Sequence, residues 1–168
     1  MIEKHPFADF VPKNANYLIL GSFIARPVPK YNFYYANGRN QFWPILEEIY
    51  QTRFKTNSDQ QKLLTKLKIA ITDIISSCER KKDSSMDVHL TNITFNSTGI
   101  TNILKYSKIK KIYFTSVFVE KLFKKEFKDA IVKYPDIELI TLPSPSPRYA
   151  LMTKSEKIFI YKKLLPKY

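Results

Sequence analysis

The stretch from Tyr17 to Ile49, YLILGSFIARPVPKYNFYYANGRNQFWPILEEI, decides how the chain folds. Its opening run, Tyr17 to Leu20, is unbroken and apolar, as in a strand buried on both faces of a parallel sheet. Gly21-Ser22 ends that run, a loop dense in proline and aromatic side chains follows, and RNQFWPIL reads as a helix start. Asn40 or Arg39 is expected to open the helix, which runs through about Gln51; Pro44 fits its first turn, where the N–H groups have no intrahelical partner. In an open α/β sheet a strand that empties into such a loop delivers its side chains to the carboxyl edge, where ligands bind.

Working outward, KIAITDII (68–75) reads as a second buried strand that ends near Asp73, KKIYFTS (110–116) as a third and IELITL (137–142) as a fourth. Helical segments separate them. Ser58 and Gln61 form a capping box for a short helix through Leu67, Thr98 caps a helix through Tyr106, and a broad apolar stripe marks 117–134. Thr153 and Glu156 form a capping box for a last helix through about Leu165. Residues 1–16 are expected to lie as an irregular arm anchored by Phe7, Phe10 and Val11, and 76–97, lacking periodicity, to form one long loop. Strands alternating with helices imply an α/β fold, a mostly parallel sheet covered on both faces with right-handed crossovers.

With 168 residues the chain has room for one domain with a sizeable core, so 1–168 is expected to be a single domain. Lys and Arg number 28 against 15 Asp and Glu, a formal charge of +13 that favours polyanionic partners through counterion release. A lysine-rich compositional bias gives the same excess. The single cysteine, Cys78, excludes an internal disulfide, a Cys-built zinc site and a multi-thiolate iron–sulfur cluster, and reads as a structural thiol in a reducing compartment. The N-terminus has no signal architecture and no apolar run reaches membrane-span length, so a cytoplasmic, soluble, monomeric protein is expected. His5 and His89 are too isolated to pair on a metal, and neither a metal nor a cofactor is expected.

Two segments carry candidate chemistry. The first loop offers Tyr31, Phe33, Tyr34, Tyr35, Asn37, Arg39, Asn40 and Gln41, rings beside amides, which can hold an extruded nucleobase by its π face and its edge. The same rings can equally cover the core beneath the arm. The second segment, PSPSPR (143–148), is stiff and poor in backbone donors; Ser144, Ser146 and Arg148 can reach phosphate oxygens, and Tyr149 can act as a wedge.

GSF, YYANGRNQFWPIL, ITDIISSCER, KKIYFTS and LPSPSP, in that order, resemble the uracil-DNA glycosylase superfamily, most of all its hypoxanthine-DNA (deoxyinosine) glycosylase branch. The resemblance spans His5-Pro6-Phe7 to the last helix and is most specific in YYANGRNQFW and LPSPSP. It implies a three-layer α/β/α domain around a four-stranded parallel sheet, and metal-independent, cofactor-free removal of deaminated bases, hypoxanthine or uracil, from DNA. It assigns base binding to Gly21, Ser22, Phe23, Tyr35 and Asn37, with Tyr35 as the stacking ring. DNA contacts fall to Lys30, Arg39, Ser144, Ser146 and Arg148, with Arg26 a further phosphate contact. Related mismatch-specific enzymes position the attacking water with an Asn two residues after the glycine matching Gly21; here that place is Phe23, and the role passes, as in the hypoxanthine branch, to Asn40. Ile24 and Gly38 also stand where the family usually has proline. Asp73, at a strand end, is the rival for general base, or else a cap that accepts backbone N–H groups. A nucleic-acid-binding module that has lost catalysis, and a small-molecule nucleotide hydrolase, use the same rim.

Overall fold

The computed structural model describes residues 1–26, 32–81 and 84–168. Strands β1 (Ile2–Lys4) and β2 (Tyr17–Gly21) precede helices α1 (Phe42–Tyr50) and α2 (Asn57–Lys66). Strands β3 (Ile69–Asp73), β4 (Ile75–Arg80) and β5 (Leu90–Phe95) follow, then α3 (Ser97–Tyr106), β6 (Lys111–Phe114), α4 (Val117–Glu126) and α5 (Lys128–Lys133). Strand β7 (Glu138–Thr141) and helix α6 (Lys154–Leu164) complete the chain.

Strands β3-β2-β6-β7 form a four-stranded sheet, parallel throughout. Alternation along each strand fixes the layers. Leu18, Leu20, Ala70, Ile112 and Phe114 point to the face that α3 and α4 cover with Ile100, Ile103, Val119 and Phe123. Ile19, Ile69, Ile71 and Tyr113 point to the other, covered by Phe42, Ile45 and Leu46 of α1, Leu64 of α2 and Tyr161 of α6. The result is the three-layer α/β/α architecture. In-register pairing of Gly21 with Asp73, Leu20 with Phe114 and Phe114 with Thr141 brings all strand carboxyl ends to one rim.

Several local expectations are corrected. The presumed loop over 76–97 holds β4, a single 3₁₀ turn at Asp87–His89 and β5; with β1 these strands make an antiparallel sheet of order β1-β4-β5. Register shifts at Ser77 break the alternation that would have marked β4. The N-terminal arm therefore begins as a strand, and Val11 is exposed rather than anchored, while Phe7 and Phe10 do pack on the core. Helix α2 is capped by Thr56 with Asp59, not by Ser58 with Gln61: the Thr56 hydroxyl accepts the Asp59 N–H and the Asp59 carboxylate accepts the Thr56 N–H. Helix α3 is capped by Asn96, whose side chain accepts the Gly99 N–H. The single helix expected over 117–134 is broken at Phe127, which leaves helical geometry and buries its ring parallel to Phe123 at 5.1 Å. The Thr153 and Glu156 box stands as read.

Candidate active site

At the carboxyl rim the strand ends converge on one cleft of about 690 Å³. Ser22 and Phe23 enter it from β2, Asp73 from β3, Thr115 and Ser116 from β6, and Leu142 and Pro143 from β7. Tyr35, Asn37, Arg39 and Asn40 form one wall, and Ser144, Ser146 and Arg148 belong to the other, so the two segments marked in the sequence share a cavity. Gly21 lies beneath the floor. Lys30 and Tyr31 fall outside the described residues.

A buried lysine links the two walls. The Gln41 N–H donates to Pro145 O at 2.9 Å, and Lys157 of α6 donates from Nζ to Gln41 Oε1 at 2.8 Å and to Ser146 O at 3.1 Å. Lys157 is 1% exposed, and burial lowers its pKa below the ordinary lysine value. It is a cation under the serine-proline wall, fixed by neutral oxygens. Lys157→Met should remove the Lys157 bond to Gln41 Oε1 and leave Ser146 O with the Tyr149 N–H alone, at a cost of about 1–3 kcal/mol. Urea unfolding measures the loss, and a stability equal to wild type would remove Lys157 from this role.

The floor is built around Asp73. His5 donates from Nε2 to Asp73 Oδ2 at 2.8 Å, with both side chains less than a tenth exposed. The second His5 nitrogen faces Phe7 O at 3.2 Å, and the ring stacks on Tyr34 at 5.5 Å. Burial alone would lower the His5 pKa, but the Asp73 carboxylate outweighs it and holds the imidazole above its usual 6.5. Asp73 is thus an ion-paired carboxylate rather than the backbone cap considered for it, and His5 is satisfied, as expected for an isolated histidine.

Tyr35 stacks on Phe42 at 4.3 Å and its hydroxyl bonds Thr115 Oγ1 at 3.0 Å. Its φ of 57° is left-handed, an uncommon conformation for an aromatic residue that the surrounding contacts hold in place. Burial, and then the Asp73 charge, raise the phenol pKa well above 10, so it stays a neutral donor. A Cβ on Gly21 would collide with both Asp73 Oδ1 and the Tyr35 hydroxyl, which is why glycine stands there. Phe23 is a core residue at the cleft edge, and its ring meets His5 edge-on at 5.6 Å. Asn40 Oδ1 accepts the Phe42 N–H at 2.9 Å at the start of α1, and the Arg39 N–H donates to Asn37 Oδ1 at 3.0 Å. Gly38 is exposed with open space around it and a negative φ, so this position needs no glycine.

Arg26 pairs with Glu3, which also binds Arg80, so it is partly committed to tying the loop to β1 and β4. The Arg80 side chain is buried and donates to Ser84 O and Ile24 O as well, tying the chain before Asp87 to the stretch that follows β2. That segment brings in Asp87, a residue missed in the sequence. Asp87 Oδ1 accepts the Ser22 hydroxyl at 2.7 Å, and burial, followed by the nearby Asp73 charge, pushes its pKa up to about 6. Its only sequence signal is one acid among Ser, Met and Val, with no spacing relation to Asp73. Cys78 is buried and unpaired, and burial raises its thiol pKa. No helix is long and apolar enough to cross a membrane, and no cluster of three metal-ligating side chains occurs, among the described residues.

A parallel sheet between helical layers, with a cleft at its carboxyl edge, defines a three-layer α/β/α fold. The particular architecture is uracil-DNA-glycosylase-like. Over 98% of its length the chain is similar to 99% of a solution NMR structure from Methanosarcina acetivorans described as a "putative Uracil DNA glycosylase", with TM-score 0.72 and 22% sequence identity. No family model and no curated protein matches the chain.

Proposed function

We propose that residues 1–168 form one monofunctional DNA glycosylase domain that flips a deaminated base, hypoxanthine or uracil, out of DNA and hydrolyses its N-glycosidic bond. The observation that carries this reading is the shared cleft, in which the Tyr35 to Asn40 wall meets the Ser144 to Arg148 wall over a floor of Asp73, Thr115 and Ser22. Its volume of about 690 Å³ lies inside the range of roughly 300–1,000 Å³ typical of small-molecule sites. The charge of +13 supports a polyanionic partner.

Cleavage proceeds through an oxocarbenium-like sugar with negative charge developing on the base. Tyr35, already covered by Phe42 on one face, offers the other to the flipped base. Asn40 keeps its amide NH₂ for the base or water, since its carbonyl is engaged by Phe42. Asp73 supplies the negative charge beneath the sugar cation or takes the proton of the water. Ser144, Ser146, Arg148 and Arg39 bind the backbone around the extruded nucleotide. Flipping costs a few kcal/mol and least for a poorly paired base, which favours a deaminated one before any contact is read.

The test is base release from duplexes carrying deoxyinosine, deoxyuridine or deoxyxanthosine, read as strand scission after alkali. Asn40→Ala should abolish scission while most DNA affinity remains; an unchanged rate would remove Asn40 from the chemistry. Binding should weaken with salt at a log–log slope of about −0.9 per neutralised phosphate. Phe23 in place of a water-positioning amide favours a second reading, a binding module without catalysis, for which tight binding without scission is the signature. A flat salt response would instead point to a small-molecule substrate.

A further inference from the structure

Among the described residues two carboxylates, Asp73 and Asp87, reach the cleft, and their surroundings differ. Asp73 faces His5 in a closed ion pair. Asp87, brought from the opposite side by the 3₁₀ turn after β4, faces, among the described residues, only a neutral hydroxyl, Ser22, at hydrogen-bond distance. Exposed Met86 and Val88 flank it at the lip, so a ligand seated there would further exclude water from the carboxyl group. A pair of acids whose environments separate their protonation is the arrangement by which glycoside hydrolysis divides the proton donor from the anion that faces the sugar cation.

We infer that Asp87 is the proton donor to the leaving base, and that the site is thereby suited to a deaminated purine. This rests on the glycosylase reading above. A purine leaving group has a basic imidazole nitrogen, N7, on the edge away from the bond being broken. Uracil has no such nitrogen. As the C1′–N9 bond breaks, its electron pair leaves with the base and the Asp87 carboxyl proton moves to N7. Neutral hypoxanthine departs as its N7–H tautomer. Water oxygen bonds to C1′, and the proton it releases passes into the open cleft and restores the Asp87 acid, so the cycle consumes only water.

The groups facing Asp87 agree with this role. Ser22 from the end of β2 and Arg80 from β4 favour its ionised form; burial and the Asp73 charge at the end of β3 oppose it and prevail. Among the described residues the Tyr35 phenol and the Cys78 thiol, which also feel the Asp87 charge, are both raised and so neutral near pH 7. His5 lies behind Asp73 and is bonded to its carboxylate. A carboxyl group raised to about 6 is protonated often enough near neutrality to act as an acid.

The experiment is single-turnover base release by the full chain from deoxyinosine and deoxyuridine duplexes between pH 5 and 9, for wild type, Asp87→Asn and Asp87→Glu. Wild-type release of hypoxanthine should fall as pH rises above about 6, while release of uracil lacks that limb. Asp87→Asn should slow hypoxanthine release about 10²–10⁴-fold, lose the limb, and bind the duplex within about twofold of wild type, because stacking on the flipped base and phosphate contacts, not this acid, supply the affinity. Asp87→Glu should recover part of the rate and the limb. Asp87→Asn within threefold of wild type, or a purine-to-pyrimidine ratio that is flat in pH, overturns the inference and leaves the glycosylase reading standing. A wild-type chain that releases neither base at any pH overturns both.

Discussion

Asp73→Asn is expected to destabilise the protein most strongly in acid and least in alkali. The wild-type pair holds His5 above its unfolded value of about 6.5 against the opposing effect of burial. A group raised in the folded state contributes stability that is fully present below the unfolded pKa and is lost as pH climbs through the folded one. With the carboxylate gone, the imidazolium at low pH is a buried charge without a counter-ion, and removing one partner of such a pair costs about 3–5 kcal/mol. Above the folded His5 pKa the ring is neutral and the new amide oxygen still accepts its N–H, so the loss should shrink to about 1 kcal/mol. Asp87 is also raised, from 3.8 to about 6, and its own contribution likewise fades as pH rises, so the comparison is variant against wild type at each pH. Removing the Asp73 charge lowers Asp87 as well, which should move the acid limb of base release downward. Urea unfolding at pH 5.5 and pH 9 decides it; a stability difference that is the same at both values would mean that His5 is neutral in the folded protein. On the proposed glycosylase reading, base release by the same variant, set beside Asn40→Ala, tests which of Asp73 and Asn40 acts on the water.

What could be read from the sequence follows from where its signals are local. The runs YLIL, IAITD, KIYF and ELIT carry β-branched and apolar residues dense enough to mark buried parallel strands, and parallel strands between helices fix which rim collects the loops. Proline placement did the same for 143–148, which had to be an extended wall. What escaped is chemistry made by contacts distant in sequence. His5 and Asp73 lie 68 residues apart, Ser22 and Asp87 lie 65, and Gln41 and Lys157 lie 116, and none leaves a spacing pattern. Strand β4 escaped for another reason. It sits in a half-exposed antiparallel sheet whose bulges reset the alternation twice, so Ser, Cys, Glu and Arg read as loop. The lysine in α6 was hidden by its type: among 28 basic residues nothing in the sequence separates the buried cation from the solvated ones. The aromatic loop was decided by packing alone: Phe33 and Tyr34, with Trp43 of α1, serve the core, the covering use foreseen for the rings, while Tyr35 lines the cleft.

Gly21→Ala should be as damaging to base release as loss of Asp73 itself, although it removes no functional group. Gly21 has a negative φ, so alanine brings no backbone strain, and the effect isolates the added methyl. That methyl would overlap Asp73 Oδ1 and the Tyr35 hydroxyl, each of which is tied elsewhere: Asp73 to His5, and Tyr35 to Thr115 and the face of Phe42. Neither can swing aside without breaking a buried interaction, so the overlap is relieved by the cheaper of two losses, an opened ion pair or an unstacked ring. Overpacking of this kind costs about 1–3 kcal/mol, and on the glycosylase reading displacing the floor of the cleft by about 1 Å should lower release by about 10²-fold. A double-mutant cycle separates the two routes. If the methyl acts by opening the pair, Gly21→Ala should cost little further stability in an Asp73→Ala background, because the pair is already lost. Full additivity would show that Tyr35 yields instead, and an alanine variant with wild-type stability and rate would mean that Gly21, Asp73 and Tyr35 do not meet.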